Sequence, residues 1–552
     1  MIKDIITNSI KKAFDIDLNE HKEIKLSICN SSSIKYDRGK YLYIYIVNQL
    51  KEHLLQNLSL EEISTKIKEN IEDIQNFISN IIVCTIEGEY IIKIEPSNNY
   101  YYDKELEIYN TYNNYNNKND KEESKKIYIS LKEIDDITVP IDYITYRSII
   151  YTIGLHKKLL LSNNIVYSSI IVDDLYNDKL TSFIEDIVNL YNEKAYKDKL
   201  YIKNDFDISL FKQNIFESLY DNNYRNSSEM ITIKDNKEII INAILNSINK
   251  IPFINDNMYT KIERMSCLLK TDIPNKFLKY MKDKELLISN DNILYFNSSK
   301  YGDNKDRVLI SKDGSYTKLF YKYVYLFYLF LLNKYDKTLF IKSKKDSWEF
   351  DLINIFLKAI DVKRDIEFKI VGDIYDKDKN VISNNPLNNL YDKYGDIGDT
   401  KNFINEDITY EKLKYNILDT KLSNNLYLYD NEKYKCYKNL KQVLVNIKKL
   451  SYNYCNGYYI LNDNREVFND IYFKNIINNL LLLTKYKNNS FESYIIIDKI
   501  SKVIKELKKC LRDANITDES LDIKNIKGKV KVLIMASKFI QNLLSIRLDL
   551  YV

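Results

Sequence analysis

Thr271-Asp272-Ile273-Pro274-Asn275-Lys276-Phe277-Leu278-Lys279-Tyr280-Met281-Lys282-Asp283-Lys284-Glu285-Leu286 runs directly into Leu287-Ile288-Ser289-Asn290-Asp291-Asn292-Ile293-Leu294-Tyr295-Phe296. Proline fits the first turn of a helix because the amide it lacks would have no partner there, so a helix opens at Ile273-Pro274. Phe277, Leu278, Met281 and Leu286 form its buried face. The apolar runs on either side of Ser289-Asn290-Asp291 then pair as a hairpin. With a helical start at Tyr259 to Cys267, the order is helix, turn, helix, ribbon, which is the pattern of a winged helix.

The same order is read twice upstream. From Tyr41 to Leu58 a helical pattern passes through Leu42, Val47, Leu50, Leu54 and Leu55. Ser59 then caps a short helix to Lys68, with Glu61 and Glu62 in its first turn. Ile71, Ile74, Phe77 and Ile78 repeat at helical spacing, and Ile81-Ile82-Val83-Cys84-Thr85 and Tyr90-Ile91-Ile92-Lys93-Ile94 flank the turn Glu87-Gly88-Glu89. Further on, helices are expected over Ile141 to Leu161, Val166 to Leu175 and Leu180 to Tyr196, closed by the strand Lys199 to Lys203. The tract from Asn98 to Lys126 is polar and Asn-rich, so it is expected to be a disordered insertion.

The expected fold is therefore mainly α with small β-wings: tandem winged-helix domains plus a C-terminal helical hairpin. The expected boundaries are a first winged helix at 1–97, the insertion at 98–126, a second winged helix at 127–205, connecting helices at 206–250 and a third winged helix at 251–312. A fourth, with an irregular insertion, is expected at 313–462, and a helical region at 463–552.

Composition narrows the chemistry. A chain of 552 residues with 45% apolar residues can bury several cores of roughly 80–120 residues each. It holds only 10 Gly and 5 Pro. Phosphate loops, nucleophile elbows and dinucleotide folds need glycine at a close backbone approach, so those enzyme classes are disfavoured. The abundance of Lys, Asn, Ile and Tyr reflects AT-rich codons and is not a functional signal. The six cysteines, Cys29, Cys84, Cys267, Cys436, Cys455 and Cys510, have no zinc or redox spacing, and His21, His53 and His156 stand alone. No metal and no cofactor is expected. No apolar run reaches the length of a membrane span; Tyr323 to Leu332 is about half of one. The N-terminus lacks a signal peptide's apolar block.

The paired acids Asp135-Asp136 and Asp173-Asp174 have no third ligand placed near them and read as surface charges. Lys312-Asp313-Gly314 has the wrong spacing for a nucleotidyltransferase lysine motif. Two faces stand out. Lys276, Lys279 and Lys282, with Lys300, Lys305 and Arg307 on the adjoining wing, form a basic surface that fits nucleic-acid phosphates, although a solvated lysine-rich face reads the same way. Seven lysines between Lys318 and Lys345 face one acid, Asp336, a local excess that fits nucleic acid or an ordinary basic loop. In the tail, Ile476, Leu480 and Leu483 lie on one helix, and Ile497, Ile500 and Ile504 on another. Both faces are apolar enough to suggest a partner interface.

Leu200-Tyr201-Ile202-Lys203-Asn204-Asp205-Phe206-Asp207-Ile208-Ser209-Leu210-Phe211 and Tyr143-Ile144-Thr145-Tyr146 resemble segments of the multi-winged-helix subunit of DNA-directed RNA polymerase III, the large member of its peripheral initiation heterotrimer. That resemblance implies a nuclear, non-catalytic subunit acting in promoter opening and in synthesis of small RNAs such as tRNA and 5S rRNA. It also implies other polymerase III subunits, two smaller initiation subunits among them, as partners, with promoter DNA possible and no membrane. The alternative is a winged-helix scaffold of a ubiquitin-like ligase or another multiprotein complex. A third reading, a divergent viral nucleotidyl-transfer enzyme, lacks the Gly-Ser and spaced-Asp pattern of that class.

Overall fold

The structure is a computed structural model. It describes residues 2–14, 27–30, 42–45, 58–71, 77–86, 89–113, 125–130, 133–161, 164–175, 178–196, 215, 233–249, 260–363, 365–376, 378–385, 410–428, 431–457, 464–484, 494–513, 516 and 522–544. In chain order these form α1 (Ile2–Phe14), β1 (Ser27–Asn30), β2 (Leu42–Tyr45), α2 (Leu60–Glu69), β3 (Ile78–Ile86), β4 (Glu89–Pro96), α3 (Asn98–Asn113), β5 (Lys126–Ser130), α4 (Tyr143–Leu161), β6 (Ile165–Val172), α5 (Asp178–Tyr196) and α6 (Ile233–Asn249). Next come β7 (Thr260–Arg264), α7 (Met265–Leu269), α8 (Ile273–Asp283), β8 (Leu287–Asn290), β9 (Ile293–Phe296), β10 (Arg307–Ile310), α9 (Lys318–Phe327), β11 (Lys337–Ser343), α10 (Glu349–Ala359), β12 (Asp365–Val371) and β13 (Ile374–Tyr375). The remainder is α11 (Tyr410–Leu418), β14 (Leu426–Tyr427), α12 (Asn431–Cys455), α13 (Ile471–Thr484), α14 (Tyr494–Asp513) and α15 (Ile523–Leu544).

The centre is a five-stranded sheet in the order β12-β11-β5-β6-β7, parallel at every pairing. The chain enters at β5, steps outward to β6 and β7, then returns to the other side of β5 for β11 and β12. That is the doubly wound arrangement, whose strand order reverses between β5 and β11. Successive side chains of a strand point to opposite faces, and each face has its own core. Ile127, Ile129, Ile170, Val172, Leu339 and Ile341 join one core, while Tyr128, Ile171 and Phe340 join the other.

The first core is shared with α4, α5, the N-terminal sheet and the C-terminal helices. The second is built from aromatic side chains of α8, α9 and α10, with Phe277 edge-on to Phe320 and Tyr323 stacked on Phe356 at 4.5 Å between ring centres. Ahead of the parallel sheet lies a four-stranded antiparallel sheet in the order β1-β2-β4-β3. Between β7 and β11 is an antiparallel sheet in the order β10-β9-β8.

Tandem winged helices are not the architecture. Leu42 to Tyr45, expected to be helical, pairs with β4 from Leu42 opposite Ile94 to Tyr45 opposite Ile91. Its alternation of aliphatic and aromatic residues suits a strand as well as a helix face. Ile81 to Thr85 and Tyr90 to Ile94 do pair, but as half of a four-stranded sheet and not as a wing. Ile165 to Val172, expected to be helical, is a central strand. Such a strand is buried on both faces and reads as a continuous apolar run, which periodicity cannot tell from a buried helix.

The expected disordered insertion begins with a 16-residue helix, α3, that buries Tyr100, Tyr101, Glu105 and Ile108, so its tyrosines supply the apolar surface that its asparagines lack. Residues 114–124 and the strand expected at 199–203 lie outside the described residues. Within Thr271 to Phe296, helix α8 and the hairpin β8–β9 are present, but strand β10 extends them into an insertion between β7 and β11 of the parallel sheet.

The C-terminal end is more than a hairpin. Helices α13 and α14 pack on each other, and α12 packs on α15. Ile476, Leu480, Leu483, Ile497, Ile500 and Ile504 are all buried in the first core, so the apolar faces expected to be covered by partner subunits are covered by this chain itself. No described helix is long and apolar enough to cross a membrane.

Candidate active site

In doubly wound sheets ligands bind in the crevice outside the carboxyl ends of the strands, at the point where strand order reverses. A cavity of about 370 Å³ lies there. Every strand around the reversal except β12 contributes to its wall: Ser130 and Glu133 at and beyond the end of β5, Ile171 of β6, Glu263 and Arg264 of β7, and Phe340 and Lys342 of β11. Helix α9 adds Tyr321, Lys322 and Tyr325, and the start of α10 adds Trp348 and Glu349.

Four of these side chains form a closed ionic ring. Lys342 Nζ lies 2.8 Å from Glu133 Oε1 and 2.7 Å from Glu349 Oε2, and Lys322 Nζ lies 3.0 Å from Glu133 Oε2 and contacts Glu349 Oε1. None of the four side chains is more than 16% exposed. Burial alone would push the Glu133 carboxyl up, but the ammonium groups of Lys342 and Lys322 hold it down at about 2. Burial disfavours the Lys342 ammonium, yet Glu133 and Glu349 raise its pKa above the usual lysine range. Each charge of the ring thus lies between two of opposite sign.

The rim is ordered in the same way. Lys318 bridges Asp135, 2.6 Å away, and Asp173, 3.3 Å away. Asp174 accepts from Arg264 Nε at 2.6 Å and from the Ser266 amide at 2.8 Å. Asp136 is held by Lys179 and by Thr138 Oγ1 at 2.6 Å. The paired acids are therefore partners of cations, and no group of three His, Cys, Asp or Glu residues that could hold a metal occurs among the described residues.

Behind β5, helix α4 presents its N-terminus, in this topology a ready anion seat. Here the chain itself occupies it. Asp142 Oδ1 accepts from the Thr145 amide at 2.7 Å, and the carbonyls of Ser383 and Asn385 accept from the amides of Ile144 and Tyr143 at 3.1 and 3.3 Å. One turn on, the fully buried Arg147 donates to the carbonyls of Gly372, Asn424 and Lys421 at 2.8, 2.7 and 3.2 Å. This clamp ties the end of β12 and the 421–424 turn to the helix. Gly372 is obligatory there, because a Cβ would come within 2.2 Å of the Asn424 carbonyl oxygen.

Sequence reasoning placed function elsewhere. Lys276, Lys279, Lys282, Lys300 and Lys305 are exposed on α8 and the β9–β10 connection and are not among the cavity's lining residues. Lys276 pairs with Asp272 at 3.3 Å, and Arg307 makes two bonds of 2.7 Å with Asp303. Of the seven lysines between Lys318 and Lys345, four are neutralised internally: Lys318, Lys322, Lys342 and also Lys337, which is 3.3 Å from Asp365. The residues missed were Glu133, Glu349 and Trp348, and Lys322 and Lys342 were read only as members of a basic excess. Their signal was charge embedded in apolar runs, Lys322 inside Leu319 to Leu332 and Lys342 inside Leu339 to Ser343, and the one tryptophan of the chain.

A doubly wound parallel sheet with a pocket at its reversal point, followed by a helical region, is an architecture of many ligand-binding α/β enzymes. Compared with solved structures, the fold is that of arginyl-tRNA synthetases. The Thermus thermophilus arginyl-tRNA synthetase aligns over 99% of this chain and 99% of its own, with a TM-score of 0.57 and 11% identity. The Plasmodium falciparum enzyme covers 99% of this chain and 96% of its own, at a TM-score of 0.51 and 13% identity. A putative arginyl-tRNA synthetase from Campylobacter jejuni covers 81% of this chain and 97% of its own, at 0.52 and 13%.

Among curated proteins, Arginine--tRNA ligase 1 of Halalkalibacterium halodurans is 41% identical over 70 residues, 13% of this chain; the match spans only 12% of that protein's length. No protein-family model matches. These findings overturn the resemblance to an RNA polymerase III subunit. The winged helices expected with it are parts of other sheets, Tyr143 to Tyr146 open α4, and Leu200 to Phe211 lie outside the described residues; with the resemblance go the ubiquitin-like-ligase alternative, the non-catalytic role, the polymerase partners and the promoter DNA.

Proposed function

We propose that this chain is a tRNA-charging enzyme of the arginyl type, joining an amino acid to tRNA. The observation that carries this reading is the near end-to-end correspondence of its fold with an arginyl-tRNA synthetase, 99% of both chains. The 70-residue match to an arginine–tRNA ligase supports it from sequence. The cavity at the sheet's carboxyl edge is large enough for a small molecule and is largely apolar, with a few convergent charges.

Arginine would be read through its guanidinium, a planar fork that bonds carboxylates two-pronged and stacks on aromatic faces. Glu133, Glu349 and Glu263 supply carboxylates, and Tyr321 and Trp348 supply faces. For the fork to reach Glu133 or Glu349, Lys322 or Lys342 must release it.

That requirement favours a second reading of the amino acid. Three acids (Glu133, Glu263, Glu349) and three bases (Arg264, Lys322, Lys342) line the cavity, so its walls are balanced in charge. Such walls suit a zwitterion with an uncharged side chain as well as they suit arginine. One assay separates the two. The full chain is incubated with ATP, tRNA from the organism that encodes it, and each of the twenty amino acids in turn. Charging with arginine is the expected result, charging with an uncharged amino acid selects the second reading, and charging with none overturns both.

A further inference from the structure

Strand β12, Asp365-Ile366-Glu367-Phe368-Lys369-Ile370-Val371, ends one side of the parallel sheet. Its inner edge pairs with β11 along its whole length, from Lys337 opposite Asp365 to Ser343 opposite Val371, and no described strand pairs with its outer edge. Burial differs accordingly between the two neighbours. In β11 every residue after Lys337 is buried, whereas in β12 only Val371 is, and Ile370 is 39% exposed. The amides and carbonyls of that outer edge, set beside half-exposed Ile366 and Phe368, have the means to accept a further strand.

Edge strands are ordinarily kept from pairing by charges placed along them. In β12 the charges are arranged differently. Successive side chains alternate between faces, so Glu367 and Lys369 share one face of the sheet and Ile366, Phe368 and Ile370 the other, and both sets lie evenly about Phe368. Two copies of the strand are therefore self-complementary when they run antiparallel about a two-fold axis through Phe368, perpendicular to the sheet. Glu367 of each copy then lies opposite Lys369 of the other, Ile366 lies opposite Ile370, and Phe368 lies opposite itself. Opposite charges and β-branched or aromatic side chains directly across from each other stabilise a ladder, and like charges there oppose it. Moving the axis by one residue in either direction sets Glu367 against Glu367 or Lys369 against Lys369, so of these three registers only the first joins opposite charges.

We propose that β12 is a homodimer interface, in which two copies of this chain join edge to edge in that register and their two five-stranded sheets continue as one. Within one chain Glu367 already lies 3.4 Å from Lys369 and 3.6 Å from Lys337. In the dimer the second copy's Lys369 joins them, and neither local contact has to break. A single ladder of this length is small beside the roughly 1,200–2,000 Å² buried in stable interfaces, so the dimer should be weak and its population should rise with protein concentration.

Sedimentation equilibrium of the full chain across the micromolar range tests this, and a reversible monomer–dimer equilibrium is the expected result. Glu367→Lys and Lys369→Glu, each alone, set like charges in both cross-axis pairs and should weaken association roughly tenfold or more. Mixed together, the two variants again present opposite charges across the axis and should form a heterodimer about as tight as the parent dimer. The double variant, Glu367→Lys with Lys369→Glu, should dimerise with itself. A thermal melt verifies that each variant is folded, and an unfolded variant could not be rescued by mixing. A chain that stays monomeric throughout, as it would if another segment or another protein covered this edge, overturns the proposal. So does a dimer that both single variants leave unchanged, or a mixture in which association is not restored. None of these readouts depends on charging, so the outcome is separate from that of the charging assay.

Discussion

Replacing Lys342 by methionine keeps the length of the side chain and removes one charge from the buried ring. Glu133 then loses the partner at 2.8 Å and Glu349 the one at 2.7 Å, and Lys322 is left to serve both. Removing one member of a buried ion pair while the other stays in place costs about 3–5 kcal/mol. A pH argument gives a similar figure. A Glu133 carboxyl lowered from its ordinary 4.5 to about 2 contributes about 3 kcal/mol at neutral pH.

Because the folded value is the depressed one, that contribution is fully present above pH 4.5 and is lost as pH falls towards 2. In Lys342→Met the depression shrinks, so the variant should be less stable at neutral pH and its stability should fall less steeply through the acid range. Equilibrium urea unfolding at pH 7, 5, 4 and 3 reads both effects. A variant within about 1 kcal/mol of the parent at pH 7, with the same acid dependence, would refute the account of the ring.

Two further substitutions test the packing around the site. Arg147→Met should cost about 2 kcal/mol or more, because the buried Gly372 carbonyl and the partly buried Asn424 and Lys421 carbonyls lose their donor, a buried acceptor at roughly 1–3 kcal/mol; Arg147→Lys should not rescue it, since one ammonium cannot span all three, and urea midpoints decide. Leu480→Ala should destabilise the isolated chain by about 2–5 kcal/mol, as a buried core truncation does. Unchanged unfolding of the purified chain would show that this face is not part of its own core.

What could be read from the sequence was local. Ser59 caps α2 through a capping box with Glu62, as the Ser-Leu-Glu-Glu run requires, and the Pro274 helix and the ribbon after it lie where turn chemistry puts them. The sheet that defines the fold escaped because its strands carry no mark of their own. Lys126 to Ser130 is five residues after a polar tract, and Lys337 to Ser343 sits inside what reads as a basic stretch. Pairing between them joins residues some 210 positions apart, and a one-dimensional pattern holds no record of that.

Scarcity of glycine misled for a related reason. It argues against a phosphate-cradling loop, and the N-terminus of α4 is indeed filled by the chain's own carbonyls, but it does not argue against the doubly wound sheet, which needs only buried parallel strands. The site was hidden because its charges are buried. Lys322 and Lys342 count as basic surface until the acids from β5 and α10 are brought against them.

The reversal between β5 and β11 also sets an order of events during synthesis. Strand β5 can pair with β6, and β6 with β7, once those segments have emerged, but the other edge of β5 has no partner until β11 follows, with Lys126 and Asp336 separated by 210 residues. At about 5–20 residues per second that wait is roughly 10–40 s. For that time the nascent chain carries an open edge of the strand Lys126-Ile127-Tyr128-Ile129-Ser130, apolar on both faces, which is a template for pairing with another chain. Slowing or pausing translation between β7 and β11 should therefore lower the yield of native protein, and the gain from a holdase chaperone should be concentrated in that window.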